Sequence, residues 1–200
     1  MRADLHERLA FFALQPRVIL DLGAGEGQGS RALKSKFPHA RVIAIDADAT
    51  VLAAARSQSR LFRRFARVVA DANRLPVADA SCDLIVSNLM LHCCVPPDAA
   101  LLEAHRVLRD GGLFLCSTLG PSSAGPYDAG LIDIHDFGSA LTRAGFDEPV
   151  LDVSRYDELP GKIEAVFAIA WRGTDRAGDG ATTAEHTFPV TALRRRKSMD

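Results

Sequence analysis

The chain has 200 residues, 48% of them apolar, and a formal net charge of −1. This length suits one domain with a sizeable core, and the balanced charge gives no overall attraction to polyanions, so we expect no nucleic-acid partner. No stretch approaches the roughly 20 continuous apolar residues of a membrane span, and residues 1–15 lack the apolar core of a secretory signal. We therefore expect no membrane contact and a cytoplasmic location.

Four cysteines do not make a disulfide framework in a protein of this kind. His92, Cys93 and Cys94 are consecutive and suggest a metal, but no Cys-x-x-Cys partner exists elsewhere in the chain. Adjacent ligands rarely share one tetrahedral site without others at useful spacing. We expect no metal and unligated, mostly buried thiols at Cys82, Cys93, Cys94 and Cys116.

Strand and helix signals alternate along most of the chain, after an N-terminal amphipathic helix with Leu5, Leu9 and Phe12 on one face. This alternation is typical of an α/β fold, a mostly parallel sheet with helices on both faces. The strands are continuous apolar runs, as expected when both faces are covered. Predicted strands are 17–22, 41–46, 66–70, 82–88, 111–117, 149–154 and 163–171, and predicted helices are 29–36, 48–58, 98–109 and 135–144.

The domain boundary is predicted near the end of the last strand. Residues 1–172 then form one domain, with a tight turn at 160–161 between the final strands. Residues 173–200 form a flexible segment, rich in Gly, Thr, Asp and Ala, and a basic tail at 194–197.

A glycine-rich segment, Asp21-Leu-Gly-Ala-Gly-Glu-Gly27, lies between the first predicted strand and helix. Glycines allow a tight turn and close approach of a ligand to the backbone, and the helix N-terminus offers free N–H groups. Asp46 follows the next strand, roughly 20 positions later, where a doubly wound sheet binds ribose hydroxyls. A nucleoside is therefore predicted, but the Gly-x-Gly-x-x-Gly dinucleotide pattern fails because its third glycine, counted from Gly23, falls on Gln28.

The Asp-x-Gly-x-Gly-x-Gly segment instead resembles the cofactor loop of class I S-adenosylmethionine (SAM) methyltransferases. Three further segments, at 71–72, 83–88 and 103–112, resemble later landmarks of that family in the same order. The resemblance implies a Rossmann-like fold with a seven-stranded sheet, and SAM as cofactor. The residues it predicts to bind SAM are Asp21, Gly23, Ala24, Gly25, Gly27, Asp46, Ala47, Asp71, Ala72 and Asn88.

Each predicted role has a structural alternative. Asp71 would lie beside the adenine, or it is a helix N-cap or turn aspartate. Asp21 would support the glycine loop through backbone N–H groups, or it caps a simple turn. Asn88 would accept from the methionine ammonium, or it only ends a strand.

Segments 87–92, 117–121 and 133–138 are more specifically similar to the malonyl-acyl-carrier-protein O-methyltransferases of biotin synthesis, and the similarity runs from about residue 8 to 172. It implies transfer of a methyl group from SAM to the free carboxylate of an acyl group on a carrier protein or CoA, leaving S-adenosylhomocysteine. A carboxylate is already ionised at neutral pH, so no general base is obligatory. His92, as base or acceptor-binding donor, and His135, as a substrate-orienting group, are the catalytic candidates; their alternatives are packing and helix capping.

The chain departs from this family where relatives cover the site. It starts almost at the first core helix, has a short loop at 122–126, and has only a tight turn between 157 and 162. Because water exclusion helps to position reactants, the missing cover predicts a slow site, a large acceptor that covers itself, or a protein partner that completes the lid.

Two other functions stay open on this fold. Relatives implicated in arginine hydroxylation during mitochondrial complex I assembly look similar, and fold alone cannot separate these chemistries. A non-catalytic SAM-binding assembly partner is the second. Arg60, Arg63, Arg64 and Arg67, around Phe62 and Phe65, would suit an acidic carrier protein, or they are a solvated surface.

Overall fold

The computed structural model describes residues 2–58, 64–123, 130–156 and 163–173. A seven-stranded sheet with the order β3-β2-β1-β4-β5-β7-β6 forms its centre. The first five strands run parallel, while β7 pairs antiparallel with both β5 and β6. The strands are β1 Val18–Leu22, β2 Arg41–Asp46, β3 Ala66–Val69, β4 Cys82–Asn88, β5 Leu108–Leu119, β6 Phe146–Tyr156 and β7 Ile163–Arg172.

Helices lie on both faces of the sheet, which confirms the predicted fold class. One core packs α4 and α5 against one face, and the other core packs α1, α2 and α3 against the opposite face. The central strands are covered on both sides, which explains their apolar runs at 18–20, 84–86 and 113–116. The helices are α1 Arg2–Arg8, α2 Gln28–Lys36, α3 Ala49–Ala54, α4 Asp98–Val107 and α5 Ile134–Arg143, and short 3-10 segments follow α1, α3 and β4 at Leu9–Phe11, Ala55–Gln58 and Leu91–Cys93.

The N-terminal helix is shorter than predicted: α1 ends at Arg8, Leu9 lies in the following 3-10 turn, and Phe12 is extended. Leu5 and Leu9 are fully buried, and the Phe12 ring packs edge-on against Trp171 with centroids 5.9 Å apart. Arg8 is also buried, because its guanidinium stacks 3.9 Å from the Phe167 ring centroid and pairs with Asp152 at 2.6 Å. These contacts fasten α1 to β6 and β7.

Several element boundaries differ from the prediction, and two of these differences are explained by the local backbone. Helix α4 ends at Val107 and not at Arg109, and β5 begins at Leu108, because the chain extends straight through Gly111, which has φ +71° beside a register shift between β4 and β5. The strand predicted to begin at Pro149 begins at Phe146, so this proline lies inside β6. Proline lacks an N–H, and β6 accommodates it where its register with β7 shifts, on an edge strand.

Some predictions fall on residues outside the described ranges. These are Arg60, Phe62 and Arg63 of the arginine surface, the turn at 160–161, and the segment after residue 173 with its basic tail. Of the same surface, Arg64 and Arg67 are exposed and Phe65 is buried. In the described ranges, no helix combines the length and apolar character needed to cross a membrane.

Candidate SAM-type cleft

A cleft of about 290 Å³ opens at the carboxyl ends of β1, β2 and β3. Parallel strands place their carboxyl ends at one edge of the sheet, where open α/β sheets bind ligands. The segment after β4 closes the cleft on its far side. The lining residues are Leu22, Gly23, Ile45, Asp46, Ala47, Ala70, Asp71, Ala72, Asn73, Leu89, Met90, Cys93 and Cys94.

The glycine loop is fastened to the end of β2. The amides of Gly23 and Ala24 both donate to the Ile45 carbonyl, at 2.9 and 3.0 Å. Gly23 has φ +75°, and a Cβ there would lie 2.4 Å from the Met90 side chain. The glycine is thus required twice, for its backbone conformation and for the close approach of Met90.

The loop ends at Gly27, the N-cap of α2, which adopts a left-handed conformation. A Cβ on Gly27 would meet Ala55 at 2.8 Å and Phe65 at 3.0 Å, so this glycine serves helix packing. Gly25 is different, because a Cβ there would meet only Val51, at 4.0 Å. The Cα of Gly25 therefore borders open space at the loop, where a ligand can approach.

Asp46 hydrogen-bonds to the glycine loop and also lines the cleft. Its Oδ2 accepts from the Gly25 amide at 2.7 Å, and its Oδ1 accepts from the Asp48 amide at 3.0 Å. A carboxylate has about four lone-pair directions, so two backbone bonds leave acceptor capacity for a ligand diol. The side chain is half-buried, so those directions meet the cleft and not bulk water alone.

Asp21 lies beneath the start of α2. Its Oδ2 accepts from the Ser30 hydroxyl at 2.5 Å, and both groups are buried. A Cβ on Gly29 would lie 3.0 Å from this carboxylate, so a glycine is needed here for close packing. Asp21 thus anchors the first turn of α2 and is not among the residues that line the cleft.

Asp71 and Ala72 line the cleft at the end of β3. Asp71 is exposed, and its Oδ1 accepts from the amide of Asn73 at 2.9 Å and from its side-chain amide at 3.0 Å. This is the turn role foreseen as the alternative. It leaves Oδ2 for a ligand, so the two roles are compatible.

Asn88 ends β4 and lies next to the cleft rather than in its lining. Its Oδ1 accepts from the Ser117 hydroxyl of β5 at 3.2 Å. The following residue, Leu89, has φ +54° and donates its amide to the Ser117 carbonyl at 2.9 Å. This unusual conformation turns the chain so that Leu89 and Met90 face the cleft.

Sequence reasoning missed the apolar and sulfur wall of the cleft. Met90, Cys93 and Cys94 contribute to it, and Cys94 Sγ lies 3.5 Å from Met90 Sδ. Burial, then the neighbouring Cys93 and Asp71, raise the pKa of Cys94 to about 11, so this thiol is protonated at neutral pH. Cys93 is exposed. Their position directly after β4, at the edge where ligands bind, was the available signal.

The two predicted catalytic histidines occupy different places. His92 is half-buried in the 3-10 turn Leu91–Cys93, beside the wall of the cleft, and burial lowers the pKa of its imidazole. His135 is exposed at the start of α5, where its amide donates to the Asp133 carboxylate at 2.8 Å. It lines a separate groove between α5 and β6, so the structure does not bring it to the cleft.

The charge of the cleft limits its ligands. Asp46 and Asp71 are carboxylates, and no Lys or Arg is found among the described residues that line it. A pyrophosphate would meet two anions and no cation, whereas a nucleoside with a cationic side arm would be attracted. Within the described residues, no group of three or more His, Cys, Asp or Glu side chains could hold a metal ion.

The strand order, the glycine loop after β1 and the acidic residue after β2 define the class I methyltransferase fold. Phosphoethanolamine N-methyltransferase 2 of Haemonchus contortus, in complex with S-adenosyl-L-methionine, superimposes with a TM-score of 0.74 at 15% identity, over 86% of this chain and 52% of that one. The cyclase SpnF superimposes with a TM-score of 0.72 at 18% identity, over 86% and 81% of the two chains. At such identities the likeness shows the fold alone.

Sequence comparison identifies the family. A profile described as a methyltransferase domain matches residues 20–116. The malonyl-acyl-carrier-protein O-methyltransferase of Laribacter hongkongensis is 40% identical over 81% of this chain and 63% of the relative, and that of a Methylovorus species is 39% identical over 90% and 67%. The chain belongs to the same family as these proteins and contains a SAM-dependent methyltransferase domain. It spans about two thirds of the length of the relatives.

Proposed function

We propose that the chain binds SAM in the cleft and transfers its methyl group to the carboxylate of an acyl group carried by an acyl carrier protein or CoA. The observation that carries the cofactor assignment is the cleft itself, which has two carboxylates and no cation among its described lining residues. SAM is a nucleoside with a sulfonium and an ammonium group, and it carries no phosphate. The acceptor assignment rests on the family, whose matched relatives are named for malonyl-acyl carrier protein.

The described residues fit this cofactor. Asp46 has free acceptor directions for the ribose hydroxyls, and Asp71 with Ala72 offers a carboxylate and an amide to the adenine. Gly25 borders open space, so the loop backbone can lie against the ligand. When bound, SAM supplies an electrophilic methyl group on a positively charged sulfur.

The other proposed cofactor residues act through the loop. Gly23, Ala24 and Gly27 set its shape, while Asp21 anchors the helix that follows. Asn88 and Ala47 flank the cleft at the ends of β4 and β2. Both carboxylates that line the cleft, with Asp21 behind them, favour the cationic arm of the ligand over a neutral one.

Methylation of a carboxylate does not require the chain to remove a proton from the acceptor. The acceptor is ionised at neutral pH, so the chain's task is to align it and exclude water. His92 is proposed as the acceptor-binding donor. Since burial lowers its pKa, the imidazole is neutral at pH 7 and can donate one N–H. His135 is proposed only to orient a substrate that reaches the groove between α5 and β6.

Two measurements test this proposal. Calorimetric titration with SAM, S-adenosylhomocysteine and NADH should give binding of the first two at micromolar concentrations and none of the third. Incubation with SAM and either malonyl-acyl carrier protein or malonyl-CoA should give the monomethyl ester, detected by mass spectrometry, with succinyl-CoA and acetyl-CoA as comparison acceptors. Acetyl-CoA, which has no free carboxylate, should give no ester.

The same measurements separate the other functions. A non-catalytic SAM-binding partner would bind SAM without methylating any acceptor. An arginine-hydroxylase-like assembly factor would leave malonyl acceptors unchanged and add oxygen to an arginine-containing protein. Absence of SAM binding would overturn the proposal outright.

A further inference from the structure

Two buried hydroxyl groups at the carboxyl end of the sheet have no hydrogen-bond partner among the described residues. Ser87 on β4 and Thr118 on β5 are fully buried, and neither Ser87 Oγ nor Thr118 Oγ1 bonds to any described group. A buried polar group without a partner is costly, and native structures contain few of them. Such a group in a native structure calls for a reason.

The contrast with the other buried polar side chains is clear. Seven polar or charged side chains are buried in the described residues, and five of them hydrogen-bond within the chain: Arg8, Asp21, Ser30, Ser117 and Glu164. Ser117 is adjacent in sequence to Thr118 and bonds to Asn88. Within the described part of the chain, buried hydroxyls elsewhere are therefore hydrogen-bonded, even one residue away, but these two are not.

Both hydroxyls lie on the same face of the sheet. Ser87 pairs with Cys116, two residues before Thr118, and Cys116 belongs to the core that includes α4 and α5. Because side chains alternate along a strand, Thr118 points to the same face as Cys116 and Ser87. Neighbouring strands lie about 4.8 Å apart and two residues rise about 6.6 Å, so diagonal neighbours of this kind are about 8 Å apart. A carboxylate hydrogen-bonded at about 2.7 Å to each hydroxyl bridges a gap of this size.

This pair, Ser87 and Thr118, adjoins the cleft. Leu89, which lines the cleft, is two residues beyond Ser87, or at most about 7 Å of extended chain. Two described segments lie at this end of the sheet: the 3-10 turn with His92 contacts β5, and residues 130–132 contact both that turn and β5. Gly130 packs directly on the His92 carbonyl, and the Ile132 amide donates to the Leu119 carbonyl at 3.1 Å. Because Ser87 and Thr118 are fully buried, an acceptor reaches them only if the segments over this end of the sheet move apart.

We infer that Ser87 and Thr118 bind the carboxylate of the acyl acceptor, each hydroxyl donating a hydrogen bond to one of its two oxygens. A carboxylate only accepts hydrogen bonds and satisfies both donors at once. Placed there, it lies beside the end of β4, next to the cleft that holds the cofactor. This inference rests on the proposed function, and it names the residues that recognise the acceptor.

The test uses substitutions that remove a hydroxyl with little change of shape. In Ser87→Ala and Thr118→Val, the acceptor KM and the dissociation constant of malonyl-CoA, measured with S-adenosylhomocysteine bound, should rise about tenfold or more, because a hydrogen bond to a charged group is lost. The dissociation constant of S-adenosylhomocysteine should not change. Thr118→Ser keeps the hydroxyl and should retain acceptor affinity, and Ser57→Ala is the exposed control.

Thermal melting supplies a second readout. Without acceptor, Ser87→Ala and Thr118→Val should melt no lower than the wild type, and Thr118→Val should melt a few degrees higher, because each removes an unsatisfied buried group. Wild-type acceptor affinity in both variants of a protein that methylates malonyl acceptors would overturn the inference and leave the proposed function standing. A wild type that neither binds nor methylates malonyl acceptors would overturn the proposed function, and with it this site.

Discussion

Asp46→Asn is the most informative substitution in the cleft, because it removes one charge and changes the shape very little. Asp46 accepts two backbone hydrogen bonds, from Gly25 at 2.7 Å and from Asp48 at 3.0 Å. In the variant one oxygen becomes an NH₂ group that faces a backbone donor. We expect the free energy of unfolding to fall by about 1 kcal/mol, which lowers the melting temperature by roughly 2–4 °C for a domain of this size.

The effect on SAM binding should be larger. The proposed bonds from the ribose hydroxyls to Asp46 are charge-assisted and worth about 1.5–3 kcal/mol. Their loss predicts a dissociation constant roughly 10- to 150-fold higher. Isothermal titration of wild type and variant with SAM and S-adenosylhomocysteine measures this change directly.

The matched control is Asp136→Asn, an exposed aspartate in the first turn of α5, outside the lining of the cleft. It changes the net charge equally and should leave SAM affinity unchanged. If Asp46→Asn bound SAM within about threefold of the wild type while remaining folded, Asp46 would be a loop-fastening residue only, and the ribose assignment would be refuted.

Three further predictions concern the loop, the acidic limb of stability and the cleft thiol. Gly23→Ala places a methyl group 2.4 Å from Met90 in a left-handed conformation, so it should lower the unfolding free energy by about 2 kcal/mol or more in urea titrations and weaken SAM binding. Hydrogen bonding to Arg106 lowers the pKa of Glu103 below its usual 4.5. The ionised carboxylate therefore contributes fully to folding stability above about pH 4.5, and this contribution is lost as the pH falls through the lowered pKa of the folded state. The difference in melting temperature between wild type and Glu103→Gln should accordingly shrink as the pH is lowered below about 4.5. Cys93 is the exposed cysteine of the four, so maleimide should label one thiol in the native protein, and saturating S-adenosylhomocysteine should slow that labelling; two rapidly labelled thiols would contradict the described burial.

The parallel sheet was predictable because its strands are buried on both faces. Apolar runs such as those at 18–20 and 84–86 signal this burial locally. The helix starts were also readable, since the Asp48 side chain caps α3 and the Asp133 side chain caps α5. The predicted start of β6 at Pro149 was three residues late, because an edge strand with a register shift tolerates a proline that a central strand would not.

The glycine loop and Asp46 were readable for a similar reason. A tight turn at a strand end restricts residue type locally, so Gly23 and Gly25 stand out in the printed sequence. The distance from this loop to Asp46 follows from one intervening helix and strand. A family resemblance then made the cofactor a definite expectation.

The sequence by itself therefore determined the alternation of elements, the nucleoside loop and the family, all of which depend on short-range spacing. Only the tertiary structure decided which side chains meet. It places His92 beside the cleft and His135 in another groove. It also brings Ser87 and Thr118, 31 positions apart in the numbering, onto one face, where neither hydroxyl has a partner among the described residues. The physical reason is that a hydrogen bond, or its absence, depends on ångström-scale distances between strands, and these are fixed by strand order and register rather than by any local run of residues.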